Sequence, residues 1–122
     1  MPEIASLLPE TQAIDKKMFS CFGSDVFCSM LKRMPGNRNT VLLCGIESHI
    51  CVMQTVVGAL GSGYKVHVAA DATSSRSPSN MQVGIERMRS AGAVISSTEM
   101  AIYELLGRSD RAEFRQMLPY LR

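Results

Sequence analysis

Residues 41–55, Val-Leu-Leu-Cys-Gly-Ile-Glu-Ser-His-Ile-Cys-Val-Met-Gln-Thr, decide the fold of this chain. They begin with a short apolar run, pass through a turn that contains Gly45, and enter a helix near Cys51. The apolar run predicts a buried strand over residues 40–44, of the kind found in parallel sheets. Cys51 then lies in the first turn of the helix that leaves the C-terminal end of that strand. Ligand sites in open α/β sheets lie at this end, and a helix N-terminus stabilises an anion such as a thiolate.

The rest of the chain continues the alternation of helix and strand. We predict helices over about residues 23–34, 49–60, 78–92, 96–106 and 111–121, and further strands over about residues 64–70 and 93–95. For the first of these helices, Ser24 and Asp25 are both plausible caps. Alternating strands and helices specify right-handed crossovers and a parallel sheet. We therefore expect an α/β fold of three layers, α-β-α, with a Rossmann-like parallel sheet covered on both faces.

The composition is that of one ordinary globular domain. The chain has 122 residues, of which 46% are hydrophobic and 20% charged, with a net charge of +2. This length predicts a single domain over residues 1–122, and the small net charge gives no reason to expect a nucleic-acid or membrane partner. No apolar run approaches the roughly 18 residues of a membrane span, and the first residues lack the features of a secretory signal. We therefore expect a cytoplasmic protein.

Cysteines stand at positions 21, 28, 44 and 51. Zinc ligands usually come in pairs about two to four residues apart, and the spacing here does not fit that pattern. A disulfide framework is not expected without a secretory context. We predict reduced structural thiols at Cys28 and Cys44, no metal ion and no cofactor.

Several motifs resemble those of the isochorismatase-like cysteine hydrolase superfamily, and they occur in the same order. Residues 45–52, Gly-Ile-Glu-Ser-His-Ile-Cys-Val, resemble its Gly-[Val/Ile]-x-x-x-x-Cys-Val motif, which contains the nucleophile, and Thr55 continues the match. Residues 16–22, Lys-Lys-Met-Phe-Ser-Cys-Phe, resemble its Lys-x-x-[Phe/Tyr]-Ser element. Residues 63–72 resemble its next strand with an Asp-Ala ending. The resemblance covers about residues 10–118.

The resemblance implies a catalytic arrangement. The superfamily uses an aspartate, a lysine and a cysteine, so Cys51 corresponds to the nucleophile and Lys16 to the lysine. Lys17 is in the wrong register for that role. The backbone amides of Glu47 and Cys51 correspond to the oxyanion hole, and the peptide bond between Ile46 and Glu47 is expected to be cis. The implied reaction is hydrolysis of a small substrate of amide, ester or vinyl-ether type.

Three further residues are predicted to contact the substrate, namely Ile46, His49 and Phe19. His49 stands two residues before Cys51, which invites a Cys–His dyad. Adjacent positions at a helix start point in different directions, so we interpret His49 as a structural or substrate-contact residue rather than a catalytic base.

One part of the family pattern is not found in this sequence. Members begin with a strand that ends in the triad aspartate, followed by two more strands, whereas Asp15 and Asp25 do not follow apolar strands. In the family the first strand lies beside the strand that precedes the cysteine. We therefore expect residues 41–44 to form an unpaired hydrophobic edge. Either the sequence is an incomplete copy of a longer domain, or another subunit of a homo-oligomer covers this edge.

Two kinds of function follow from these observations. The first is an isochorismatase-like hydrolase of a small molecule. The alternative is a weak or inactive truncated homologue that acts as a scaffold, an interaction protein or a thiol redox-responsive protein.

Overall fold

The computed structural model describes residues 6–8, 10, 11 and 13–121. Within them, one parallel sheet has the strand order β1-β2-β3. The strands are β1 (Thr40–Ile46), β2 (Lys65–Ser74) and β3 (Val94–Ser96). The pairing of β1 with β2 runs from Thr40 opposite Lys65 to Ile46 opposite Ser74, with a register shift between Leu43 and Gly45. The parallel sheet confirms the predicted α/β class.

Helices alternate with these strands. They are α1 (Asp25–Lys32), α2 (Met53–Gly61), α3 (Pro78–Ser90), α4 (Thr98–Leu106) and α5 (Ala112–Met117). Serine side chains at Ser24, Ser77 and Ser97 accept hydrogen bonds from backbone amides in the first turns of α1, α3 and α4. Such caps satisfy amides that have no partner within the helix. Of the two caps considered for the first helix, the structure therefore has Ser24.

The core lies between the sheet and helices α2 and α3. Its buried members are Val52, Val56, Ala59, Val66, Val68, Met88 and Ala93. On β2, Val66 and Val68 alternate with His67, whose Nδ1 lies 3.9 Å from the Glu104 carboxylate on α4. Successive side chains of a strand point to opposite faces. Helix α4 therefore covers the face opposite α2 and α3, and the three-layer prediction is confirmed.

Several element boundaries differ from the prediction, among them the end of β1 at Ile46 and the end of α5 at Met117. Strand β2 extends to Ser74, because Thr73 and Ser74 pair with Gly45 and Ile46. A strand was expected to end near residue 70, since its apolar alternation ends there. The helix predicted from residue 49 begins instead with a π-helical segment, Ser48–Val52. Apolar spacing does not distinguish such a turn from an α-helical one.

Strand β1 is an edge strand of this sheet. Leu42 and Ile46 on it are exposed, Ile46 to 71%. In the described part of the chain, the expected hydrophobic edge is therefore confirmed.

Candidate active site

A pocket of about 130 Å³ lies where β1 ends. It is lined by residues from the strand, from the helical segment that follows it, and from the segment before α1: Leu43, Cys44, Ile46, Cys51, Val52, Thr55, Lys16 and Cys21. The structure thus brings three predicted site residues, Cys51, Lys16 and Ile46, into one pocket. Three further predicted site residues, Phe19, Glu47 and His49, are not among its lining residues.

The last residues of β1 and the turn that follows them set the position of Cys51. Gly45 has a φ of +114°, a backbone conformation that favours glycine. The peptide bond between Ile46 and Glu47 is cis, as the resemblance implied. After it, the amides of Ile50 and Val52 both donate to the carbonyl oxygen of Glu47, at 3.1 and 3.2 Å. Cys51 is therefore held between two backbone hydrogen bonds.

Lys16 is oriented by its own segment. Its Nζ donates to the carbonyl oxygens of Met18 and Phe19, each at 2.9 Å. An ammonium group carries three N–H donors, so this geometry leaves one for the pocket. The Phe19 side chain is 60% exposed. The Phe19 backbone carbonyl thus helps to orient Lys16, and the substrate contact predicted for Phe19 stays a prediction.

Thr55 joins the lysine segment to the cysteine helix. Its hydroxyl donates to the carbonyl oxygen of Cys51 at 2.7 Å and accepts the amide of Cys21 at 3.0 Å. Sequence reasoning noted Thr55 only as part of a motif. Its position four residues after Cys51 was the available signal, because threonine hydroxyls on helices commonly bond the carbonyl one turn back. No feature of the sequence indicated that Cys21 and Cys44 would line the pocket.

The side chains of Glu47 and His49 contact the loop after β2. His49 Nδ1 lies 2.9 Å from the Ser75 hydroxyl and 3.9 Å from the Glu47 carboxylate. Glu47 forms an ion pair with Arg76, with 2.6 Å between Oε1 and the guanidinium Nη2. Hydrogen bonds from Arg76, side-chain first and backbone second, hold the pKa of Glu47 below its usual value of 4.5. His49 is thereby hydrogen-bonded to the loop after β2, and its structural or substrate-contact role stays a prediction.

Helix α3 approaches the backbone of the same turn. A Cβ atom added at Gly84 would lie 2.8 Å from the Cα atom of His49 and 3.0 Å from its backbone nitrogen. Real Cβ atoms essentially never come that close, so glycine permits this contact. Sequence reasoning missed Gly84, since nothing near it in the chain indicates its neighbour.

Some features are absent from the residues that the structure describes. They contain no group of three or more His, Cys, Asp or Glu side chains arranged to hold a metal ion. All four cysteines lie in the described part and are free thiols. None of the helices there is long and apolar enough to cross a bilayer.

Comparison with known proteins identifies the family to which these features belong. The isochorismatase domain model matches residues 1–100. The chain belongs to the isochorismatase family. It is 41% identical over 109 residues to the secreted isochorismatase effector Isc1 of Phytophthora sojae, covering 89% of this chain and 51% of that protein. The chain spans about half the length of the curated relatives it matches.

Solved structures of isochorismatase-like proteins share the fold. The MAR1 ribonuclease from Caenorhabditis elegans matches with a TM-score of 0.77 and 36% identity, over 86% of this chain and 52% of that one. The nicotinamidase SaPncA from Staphylococcus aureus matches with a TM-score of 0.66 and 26% identity, over 78% of this chain and 58% of that one. The architecture of α/β layers is therefore that of the family.

Proposed function

We propose that this protein hydrolyses small molecules of amide, ester or vinyl-ether type, with Cys51 as the nucleophile. The observation that carries the proposal is the pocket at the end of β1, which Cys51 and Lys16 line together. Membership of the isochorismatase family and the likeness to a nicotinamidase support it. A pocket of about 130 Å³ fits the reactive end of a small substrate.

For an amide or ester, the reaction has two stages. The Cys51 thiolate attacks the carbonyl carbon, and the π-electron pair moves to the oxygen. The backbone amides of Glu47 and Cys51 donate hydrogen bonds to this oxyanion. When the carbonyl re-forms, the C–N or C–O bond breaks, the amine or alcohol takes up from solvent the proton that the Cys51 thiol lost on ionising, and Cys51 holds a thioester. Water then cleaves the thioester, releasing a carboxylic acid and the thiol.

Lys16 supports the nucleophile in this proposal. A positive charge in the pocket stabilises an anionic sulfur, and the segment that ends at Cys21 holds this charge in place. No aspartate of this sequence is assigned as the general base. Since general acid–base assistance is typically worth about 10²–10⁴-fold, we expect slow turnover from this chain.

The nucleophile is tested by labelling with limiting iodoacetamide and measuring each cysteine separately by mass spectrometry. We expect Cys51 to be labelled first. Cys44 is the internal control, because it is exposed while Cys51 is half-buried and both line the pocket. Faster labelling of Cys51 cannot then be due to access. If all four cysteines react alike, the assignment of Cys51 as nucleophile is wrong.

Turnover is tested on a panel of amides and esters that includes nicotinamide. An RNA oligonucleotide belongs in the panel, because the related C. elegans protein is named a ribonuclease. Cys51→Ser should abolish any turnover observed. Turnover that survives Cys51→Ser would contradict the covalent mechanism.

The cytoplasmic location and the homo-oligomeric state expected for this protein stay predictions.

A second candidate function is a thiol redox response, which the presence of Cys21, Cys44 and Cys51 around one pocket favours. Hydrogen peroxide would transfer one oxygen atom to the Cys51 thiolate and leave as water, and the resulting sulfenate would take up a proton to become a sulfenic acid. Trapping with dimedone tests this. The candidate fails if peroxide leaves no dimedone adduct on Cys51.

A further inference from the structure

Arg76 donates four hydrogen bonds to the Glu47 carboxylate. Its Nε donates to Oε1 at 2.9 Å and to Oε2 at 3.1 Å, its Nη2 donates to Oε1 at 2.6 Å, and its backbone amide donates to Oε2 at 3.3 Å. A guanidinium offers its donors in a rigid fork that matches a carboxylate. One residue therefore fixes both the distance and the orientation of the Glu47 side chain.

The ion pair joins the ends of two neighbouring strands. Glu47 directly follows β1, and Arg76 stands two residues after β2. The strand pairing ends at Ile46 opposite Ser74. Beyond that point, the side-chain contacts between the two loops are Glu47 with Arg76 and His49 with Ser75, among the described residues. These contacts hold the turn that carries the predicted oxyanion donors.

We propose that the Glu47–Arg76 ion pair positions the backbone amide of Glu47 as an oxyanion donor, with Arg76 as a positioning residue. This inference rests on the proposed function, because the oxyanion forms only if Cys51 attacks a carbonyl. An oxyanion donor acts when it lies about 2.7–3.1 Å from the developing charge, so a small displacement weakens it. The peptide nitrogen of Glu47 belongs to the residue whose side chain Arg76 holds.

We expect the Glu47–Arg76 ion pair to affect the geometry of the turn after β1 more than the free energy of folding. The Arg76 side chain is 77% exposed and the Glu47 side chain 20%. Ion pairs with an exposed partner usually add little to the free energy of folding. Loss of Arg76 should therefore leave the fold intact while it loosens the turn. The effect of losing Arg76 on the turn can therefore be measured in a folded protein.

The test compares two reactions of Cys51. Acylation by p-nitrophenyl acetate proceeds by thiolate attack on the carbonyl carbon, formation of an oxyanion, and departure of p-nitrophenolate. Alkylation by iodoacetamide displaces iodide from a saturated carbon, and no oxyanion forms. The acylation rate therefore depends on the oxyanion donors, whereas the alkylation rate reports only the state and access of the thiol. Both rates are measured at Cys51 by mass spectrometry.

We expect Arg76→Ala to lower the acylation rate on the order of tenfold, because loss of a complete oxyanion donor typically costs about 10²–10³-fold. The alkylation rate should change less than about twofold. Arg76→Lys should restore part of the acylation rate, since lysine keeps the charge but not the fork. The matched control is Arg108→Ala, which removes another exposed arginine–carboxylate pair, with Asp110, outside the pocket.

Two outcomes overturn the inference. In one, the ratio of acylation to alkylation is the same in Arg76→Ala as in the wild type. In the other, both rates fall together, which indicates general damage to the turn. Glu47→Gln breaks the same pair from the other side and must lower the ratio as well. If the wild-type Cys51 is not labelled by iodoacetamide ahead of Cys44, the proposed function fails instead.

Discussion

Thr55 donates its hydroxyl hydrogen to the carbonyl oxygen of Cys51 at 2.7 Å. The Thr55 hydroxyl oxygen in turn accepts a hydrogen bond from the backbone amide of Cys21 at 3.0 Å, and Thr55 is only 3% exposed. A single buried hydroxyl thus connects the helix of the proposed nucleophile with the segment that carries Lys16. The two parts of the pocket are distant in sequence, and this hydroxyl bonds to both.

Thr55→Val should destabilise the protein by about 1–3 kcal/mol, because the Cys21 amide loses its acceptor while the shape of the side chain is kept. Thr55→Ser retains the hydroxyl and is the control, with a smaller loss expected. The free energy of unfolding in urea measures both. Equal stability of Thr55→Val and the wild type would show that the two hydrogen bonds of the Thr55 hydroxyl contribute nothing to the free energy of folding.

Lys16→Met should slow the alkylation of Cys51 at neutral pH, because the pocket loses the positive charge that stabilises a thiolate. Lys17→Met is a matched control, since it removes the same charge from the adjacent residue, which does not line the pocket. We expect a decrease of at least about threefold for Lys16→Met and little change for Lys17→Met. Similar rates in the two variants would refute the assignment of Lys16.

Gly84→Ala should destabilise the protein by about 1–3 kcal/mol, since the added Cβ meets backbone atoms of His49, which cannot move aside as a side chain can. Gly61→Ala is the control, because no atom lies within 4 Å of its added Cβ. Thermal unfolding should show a lower midpoint for Gly84→Ala alone. An equal effect of both substitutions would mean that the contact with His49 is unimportant.

The hydrogen bonds of the Asp71 carboxylate lead us to expect that the free energy of unfolding depends on pH. Its carboxylate accepts the backbone amide of Thr98 at 2.8 Å and the Thr98 hydroxyl at 3.1 Å. The hydrogen bond from the Thr98 amide, above all, lowers the pKa of Asp71 from its usual 3.8. A group with a lowered folded pKa stabilises the fold above its unfolded pKa, and this stabilisation is lost as the pH falls through the folded value.

The wild type should therefore be more stable than Asp71→Asn at neutral pH, and the difference should shrink below pH 3.8. Urea unfolding at a series of pH values measures this difference. A difference that stays constant throughout the acid range would show that the charge on Asp71 is not involved.

Local patterns predicted much of the fold. The apolar run before Gly45 and the alternation on Val66, His67 and Val68 predicted strands, because burial imposes those patterns directly. The position of Cys51 at the end of a strand also followed from local signals. The contacts between Glu47 and Arg76 and between Gly84 and His49 did not, because each joins residues that only the folded chain brings together.

Strand β1 supplies Leu43, Cys44 and Ile46 to the pocket, and it has a hydrogen-bonded neighbour on one side only among the described residues. Any molecule that binds in the pocket therefore also contacts, and restrains, an edge strand of the sheet. Ligand binding and local opening of β1 are thermodynamically linked, since a ligand that binds the closed form shifts the equilibrium toward it. Slower amide hydrogen exchange along β1 would then report pocket occupancy without any catalytic turnover.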